Sequence, residues 1–280
     1  MPDTPSAELQ HIAADIARRV GSFLMRDRPR ELSTSTKSSD TDVVTEMDAA
    51  AERMITEYLR DRRPGDGLLG EEGARATSTT GVSWVIDPID GTTNYLYRLP
   101  MWTVSIAASQ AGHLVAGVVY APQLDTLFAA IRGGGAWRTT PDGTVPLHCS
   151  GQSDLGSALI ATGFGYTVER RRRQGNLVAG LLPRIRDIRR GGAASLDLCW
   201  VAQGLTDGYY EEGLRPWDIA AGALIAEEAG ARVVMLDERA WEPLDDSGGE
   251  SDTLVASAPG ISGALREELR RFAQGGPEKP

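Results

Sequence analysis

The stretch Trp84-Val85-Ile86-Asp87-Pro88-Ile89-Asp90-Gly91-Thr92-Thr93-Asn94 decides how this chain is read. Residues 82–86 are β-rich and run straight into Asp87. Pro88 fixes its own φ and turns the residue before it away from helix. The segment therefore reads as a shaped loop at the carboxyl end of a strand, where folds of helices and sheets place functional groups. Asp87 and Asp90, held close together, repel each other, and a proton or a shared cation resolves that repulsion. A donor set made only of oxygens suits a hard ion such as magnesium. The same residues also fit an ordinary turn closed by Asx hydrogen bonds. Gly91-Thr92-Thr93 weighs against the plain turn. Glycine admits a close approach of backbone to ligand, and successive amides opening a helical turn form an anion cradle. Carboxylates followed directly by such a cradle suit a phosphate held against Mg²⁺.

The rest of the chain limits what chemistry is available. With 280 residues there is enough length for one large domain or two packed lobes around a sizeable core. Lys plus Arg is 29 and Asp plus Glu is 39, a formal balance of −10. Such a surface disfavours nucleic acid as the main partner, and it makes an anionic substrate depend on local cations. Cys149 and Cys199 have no metal spacing, and His11, His113 and His148 are scattered, which disfavours zinc. Carboxylates and hydroxyls must carry the chemistry. No leader or membrane-spanning run is visible, so the expected location is the cytoplasm.

Residues 7–26 place Leu9, Ile12, Ala13, Ile16, Ala17, Val20, Phe23 and Leu24 at helical spacing. Residues 31–42 are polar and read as a loop or hairpin. Thr45-Glu46-Met47-Asp48 has the form of a capping box opening a second helix. Residues 103–109 and 114–120 flank a turn and read as a hairpin, with a further strand over 126–131. Residues 141–158 are turn-rich and mark a lobe junction, dividing the chain into 1–145 and 146–280. Residues 169–187, 196–203 and 217–229 read as helices, 232–236 as a strand, and one more helix follows Gly260. Trp84, Trp102, Trp137 and Trp217 are expected in packing rather than on a ligand.

Two further acid-bearing segments stand apart from the opening stretch. Glu71 and Glu72 lie between Gly70 and Gly73, and Asp218 opens a helix after Pro216. Taken singly, the glutamates read as solvated surface and Asp218 as an acid complementing a helix dipole. In this order the segments resemble the inositol monophosphatase family of Mg²⁺-dependent, lithium-sensitive phosphatases. The resemblance rests on Lys37-Ser38-Ser39, Asp42-Val43-Val44-Thr45 with Asp48, Gly70-Glu71-Glu72, Asp87-Pro88-Ile89-Asp90-Gly91-Thr92, Asp207-Gly208-Tyr209-Tyr210-Glu211 and Trp217-Asp218. Gly163-Phe164-Gly165-Tyr166 and Leu196-Asp197-Leu198-Cys199 look most like the bacterial inositol-1-monophosphatase branch.

The resemblance implies an α+β fold, a layered αβαβα sandwich of the inositol monophosphatase and fructose-1,6-bisphosphatase type, usually a homodimer. It implies two or three Mg²⁺ ions held by Glu71, Asp87, Asp90, Asp218 and the backbone carbonyl of Ile89. Glu71, Thr92 and Asp48 would orient the attacking water, with no phosphoenzyme. Gly91 and Thr92 would cradle the phosphate. Arg189, Gly192, Ala193, Ala194 and Glu211 would line a polyol site that Asp90 and Asp218 also touch, and Lys37 would reach the phosphate from its loop. Ala193 stands where the family commonly has Ser or Thr, and Asp40 where a proline is common. The implied activity is hydrolysis of myo-inositol monophosphate to inositol and phosphate. Fructose-1,6-bisphosphate, phosphoadenosine phosphate and histidinol phosphate remain alternative substrates for the same acids. A reading of another class is a non-catalytic protein that contacts RNA or the transcription machinery. Its support is the basic run Arg170–Arg173 with Arg184, Arg186, Arg189 and Arg190, which also reads as a solvated helix face.

Overall fold

The computed structural model describes residues 5–29, 34–36, 43–239, 241 and 252–274. In chain order the elements are α1 (Ser6–Arg26), β1 (Thr34–Thr36), β2 (Val43–Thr45), α2 (Glu46–Arg62), β3 (Gly67–Gly70), β4 (Arg75–Ala76), β5 (Val82–Asp90) and α3 (Thr92–Leu96). There follow β6 (Thr103–Gln110), β7 (His113–Ala121), β8 (Thr126–Ile131), β9 (Gly135–Thr140), β10 (Gly143–Pro146), β11 (Leu159–Thr162), α4 (Val168–Leu181) and β12 (Asp187–Arg189). The chain continues with α5 (Ala194–Ala202), β13 (Gly208–Glu212), α6 (Pro216–Glu228), β14 (Arg232–Met235), β15 (Thr253–Ser257) and α7 (Ser262–Gln274).

Five layers result. The larger sheet has the order β10-β9-β8-β7-β6-β5-β3-β4 and the smaller β12-β11-β13-β15-β14. In the larger sheet only β3 and β5 run parallel. α1 and α2 cover one face of it, burying Leu9, Ile16, Leu24, Ile55 and Leu59 against Trp84, Ile86, Val104 and Val118. α5 and α6 fill the space between the two sheets, and α4 and α7 close the outer face of the smaller one. The middle pair is apolar almost all round because it is buried on both sides: Leu196, Leu198, Val201, Ala221, Leu224 and Ile225 share one core with Val85 and Ala107 of the larger sheet and Ala161 and Tyr209 of the smaller. This is the expected αβαβα arrangement. The expected boundary at 145/146 falls at the last strand of the larger sheet, and α5 and α6 carry the core across it.

Several elements differ from the sequence-based expectation. β5 does not end at Ile86 but runs through Pro88 to Asp90. Its register against β6 slips by one residue between the pairs Asp87–Ser105 and Asp90–Thr103, because Pro88 has no N–H for the ladder. The helix expected over 169–187 stops at Leu181; Leu182-Pro183-Arg184 forms a 3₁₀ turn and Asp187 begins a strand. The stretch 141–158 contributes β10, which pairs with β9 as a hairpin. β1 and β2 pair antiparallel at the edges of 31–42, most of which lies outside the described residues. Among the described residues no helix is long and apolar enough to cross a membrane.

Candidate active site

The site begins on α2. Thr45 caps the helix: its hydroxyl accepts the Met47 amide at 3.2 Å, and its own amide donates to Asp48 Oδ2 at 2.8 Å. The capping geometry fixes Asp48, which is fully buried. Its second oxygen, Oδ1, accepts the Thr92 hydroxyl at 3.0 Å. Burial raises the Asp48 carboxyl above its ordinary value, against the hydrogen bonds from Thr45.

The bulge in β5 re-aims its last residues. Asp87 and Asp90 are both buried and both face one cavity of about 360 Å³, with Glu71 from the turn after β3 and Asp218 from the first turn of α6. Burial, followed by the charges of Glu71, Asp90 and Asp218, pushes the Asp87 carboxyl well above its ordinary value. Asp218 is raised in the same direction by burial and by Glu71. Asp90 is raised by burial but held down by the α5 N-terminus. Its Oδ2 accepts the Ser195 amide at 2.7 Å and hydroxyl at 2.6 Å, and its Oδ1 accepts the Ala194 amide at 3.2 Å. Four carboxylates thus share a buried space where they cannot all be ionised without a compensating cation.

After Asp90 the backbone turns left-handed at Gly91, φ +89°, and opens α3. A Cβ there would also press on Met101 O at 3.0 Å and Gly192 O at 3.1 Å, so both the angle and the space demand glycine. Thr92 and Thr93, in the first turn of α3, line the cavity, and first-turn amides have no acceptor within their own helix. On the opposite wall Glu211 of β13 accepts the Tyr209 hydroxyl at 2.7 Å. Burial pushes its carboxyl up to about 7, while Tyr209 and Arg190 pull it down. Its carboxylate lies against the Cα of Gly163, where a side chain would collide with it.

The donor set fits a hard divalent cation: Glu71, Asp87, Asp90, Asp218 and Ile89 line the cavity, with no His or Cys among its described lining residues. Among the described residues no three acid, His or Cys side chains are drawn close enough to hold an ion as they stand. Asp87 Oδ1 instead accepts the Ile89 amide at 3.0 Å, Asp218 Oδ2 the Arg215 amide at 2.6 Å, and the Ile89 carbonyl the Thr92 hydroxyl at 3.0 Å. Closing around a cation requires side-chain rotation.

Of the residues expected from sequence, Glu71, Asp87, Ile89, Asp90, Gly91, Thr92, Gly192, Ala194, Glu211 and Asp218 line this cavity. Asp48 stands behind Thr92. Ala193 is buried behind Gly91 rather than on the cavity wall. Arg189 is not brought to the site. It is exposed on β12 and pairs with Asp187 at 2.7 Å, and the next residue, Arg190, faces the cavity instead. Trp217, expected only in packing, also lines the rim, with the Arg75 guanidinium 5.4 Å from its ring centre. Lys37, Asp40 and Asp42 lie outside the described residues.

The basic run is exposed at Arg171, Arg172 and Arg173, but part of it is engaged by the rest of the chain. Arg170 enters the cavity wall, packed between Gly165 and Gly213. Arg171 donates to the Gly165 carbonyl at 2.9 Å, and Arg173 pairs with Glu212 at 2.6 Å. These side chains tie α4 to the loop at Gly165 and to the end of β13, both of which line the cavity. Ser195 is absent from the sequence-based expectations, and Arg170 and Arg190 stand there only as members of the basic run. The small residues of Gly191-Gly192-Ala193-Ala194 ahead of Ser195 are the only sequence signal that a helix N-terminus approaches Asp90 here.

The sequence pattern of the inositol monophosphatase family matches residues 6–271. The inositol-1-monophosphatase SuhB of Mycobacterium tuberculosis is 43% identical over 286 residues, covering 97% of this chain and 96% of its own length. A relative from Escherichia coli named Nus factor SuhB is 40% identical over 227 residues, covering 80% of this chain and 83% of its own. The solved structure of a Thermotoga maritima IMPase superposes with a TM-score of 0.85 at 28% identity, over 95% of this chain and 98% of its own. The match runs through nearly the whole length, over a span that contains the cavity, so the chain belongs to the inositol monophosphatase family.

Proposed function

We propose that this protein is a Mg²⁺-dependent phosphomonoesterase that hydrolyses inositol monophosphate. The observation that carries the reading is the convergence of Glu71, Asp87, Asp90 and Asp218, from three separate segments, in one cavity that Thr92 and Thr93 also line. Carboxylates raised by burial and by one another's charge are a cation site in waiting, and the first turn of α3 beside them suits a phosphate. Glu71, Asp87, Asp90, Asp218 and the Ile89 carbonyl would hold Mg²⁺. When bound, Mg²⁺ supplies positive charge to the phosphoryl oxygens and the departing alkoxide.

The chain's own groups do the rest. Thr92 donates its proton to Asp48 and so keeps an oxygen lone pair free to accept from a water. Glu71, hydrogen-bonded to Asp87, takes the second proton of that water as it attacks phosphorus in line. The first-turn amides of α3 hold the phosphate, and Glu211 accepts hydrogen bonds from substrate hydroxyls. Arg190 and Arg170 supply the cations that an acidic protein must provide locally to an anionic substrate. Water is the direct nucleophile, with no phosphoenzyme. By analogy with the family, two or three ions per site, lithium inhibition, a homodimer and a cytoplasmic location complete the reading.

The name of the Escherichia coli relative raises the alternative of a transcription-associated binding protein. Arg170, which lines the cavity, and the bonds of Arg171 to Gly165 and of Arg173 to Glu212, two lining residues, favour the enzyme. Steady-state kinetics on inositol-1-phosphate, fructose-1,6-bisphosphate, phosphoadenosine phosphate and histidinol phosphate, with Mg²⁺ titrated, test the proposal. Inositol-1-phosphate is expected to have the highest kcat/KM. Lack of Mg²⁺-dependent turnover on every ester, with salt-sensitive RNA binding, would reverse the choice.

A further inference from the structure

Four residues after Asp48, on the same face of α2, stands a second buried acid, Glu52, exposed by only 5%. Its Oε2 accepts the amide of Glu72 at 2.8 Å and its Oε1 the amide of Ala74 at 2.8 Å. Both amides belong to the turn that carries Glu71. The turn is closed on itself by the Gly70 amide donating to the Ala74 carbonyl at 2.8 Å, and the Glu71 amide donates to the Ile86 carbonyl on β5 at 3.1 Å. The Glu52 carboxylate occupies the space into which a Cβ on residue 70 would project, so Gly70 is the residue that lets this acid reach the turn. Glu71 is thus fixed from one side by β5 and from the other by α2.

We propose that Glu52 is a positioning residue that, through the Glu72 and Ala74 amides, sets Glu71 in register with Thr92. The proposal rests on the roles assigned above to Glu71 and Thr92. The geometry makes α2 a ruler with two marks one helical turn apart: Asp48 reaches Thr92, and Glu52 reaches the Glu71 turn. The two groups that would orient the water are therefore referred to one rigid element, although they lie on different loops. A carboxylate is needed at this position because two N–H donors point at it. An amide side chain offers one acceptor oxygen and would turn its NH₂ against the other donor.

The test is Glu52→Gln, with Asp66→Asn as a control. Asp66 is another buried acid near the same sheet, accepting from Trp84 Nε1 at 2.9 Å and Thr80 Oγ1 at 2.6 Å, away from the cavity. Three readouts are taken on the whole protein: kcat and KM, Mg²⁺ affinity by calorimetry without substrate, and amide hydrogen exchange over residues 70–76. For Glu52→Gln, kcat is expected to fall and Mg²⁺ binding to weaken, each roughly 10- to 100-fold as for other partners that orient a ligand side chain. KM should stay within about twofold, and exchange over 70–76 should quicken, since only the turn has been loosened. Asp66→Asn should lower Tm while leaving kcat and Mg²⁺ affinity near the parent values. Parent-like kcat and Mg²⁺ affinity in Glu52→Gln overturn the proposal, as does an equal loss of both in Asp66→Asn. If the parent protein hydrolyses no ester, the proposed function fails on its own. The Mg²⁺ affinity then decides the role of Glu52 by the same comparison.

Discussion

The Thr92 hydroxyl lies 3.0 Å from Asp48 Oδ1, joining the cap of α2 to the mouth of α3 across 44 residues of sequence. Asp48 is held by Thr45 on its other oxygen, so it offers the hydroxyl a fixed acceptor; the Ile89 carbonyl, also at 3.0 Å, is the competing one. Thr92→Ala removes the hydroxyl that orients water. It is expected to lower kcat roughly 10²- to 10⁴-fold, the range for a lost proton-handling group, with little change in KM. Thr92→Ser should recover most of the loss. Rates in the double variant Thr92→Ala/Asp48→Asn should be close to those of Thr92→Ala alone, because the pair acts as one unit.

The repulsion among Glu71, Asp87, Asp90 and Asp218 yields a stability prediction as well as an activity one. Asp87→Asn should abolish turnover at saturating Mg²⁺. The metal-free protein should be no less stable than the parent, since the substitution removes a buried charge among like charges. Differential scanning calorimetry in EDTA checks this; a large fall in Tm would show that the carboxylate is needed for folding rather than for binding.

Mg²⁺ itself should stabilise the parent protein. A ligand at a hundredfold over its dissociation constant contributes about 2.7 kcal/mol to the folded state. Thermal melts in EDTA and in excess Mg²⁺ should therefore separate clearly for the parent and merge for Asp87→Asn.

Arg189 and Arg190 make a matched pair of tests. Arg190 faces the cavity and Arg189 pairs with Asp187 outside it. Arg190→Ala is expected to raise KM roughly tenfold, the value of one charge-assisted hydrogen bond to substrate. Arg189→Ala should change KM by less than about twofold, since an exposed ion pair contributes little. The reverse ranking would return Arg189 to the site.

The helices and the metal-ligand acids were legible because each carries its signal locally. Apolar spacing marks α1, a capping box marks α2, and Asp87-Pro88-Ile89-Asp90-Gly91 is too constrained to be read many ways. Of the short strands of the smaller sheet, β14 was legible and the others were not. β11 and β13 carry no alternation of polar and apolar residues, because the sheet is covered on both faces. Arg189 and Arg190 could not be told apart because adjacent residues at a strand end point to opposite sides, and one step of register exchanges them. Glu52 was invisible for a different reason. A glutamate inside a helix reads as solvated surface until the turn it holds, twenty residues further on, is seen packed against it.

The layer order sets how this protein can fail. The cavity takes Asp87 and Asp90 from the larger sheet, Glu211 from the smaller and Asp218 from the helices between them, so its walls exist only once all the middle layers have docked. A half-chain, or a chain with one sheet unfolded, has no partial version of the site to offer. Turnover in such a molecule is a faithful gauge of global folding, and a split or circularly permuted form should regain activity only when both halves find each other.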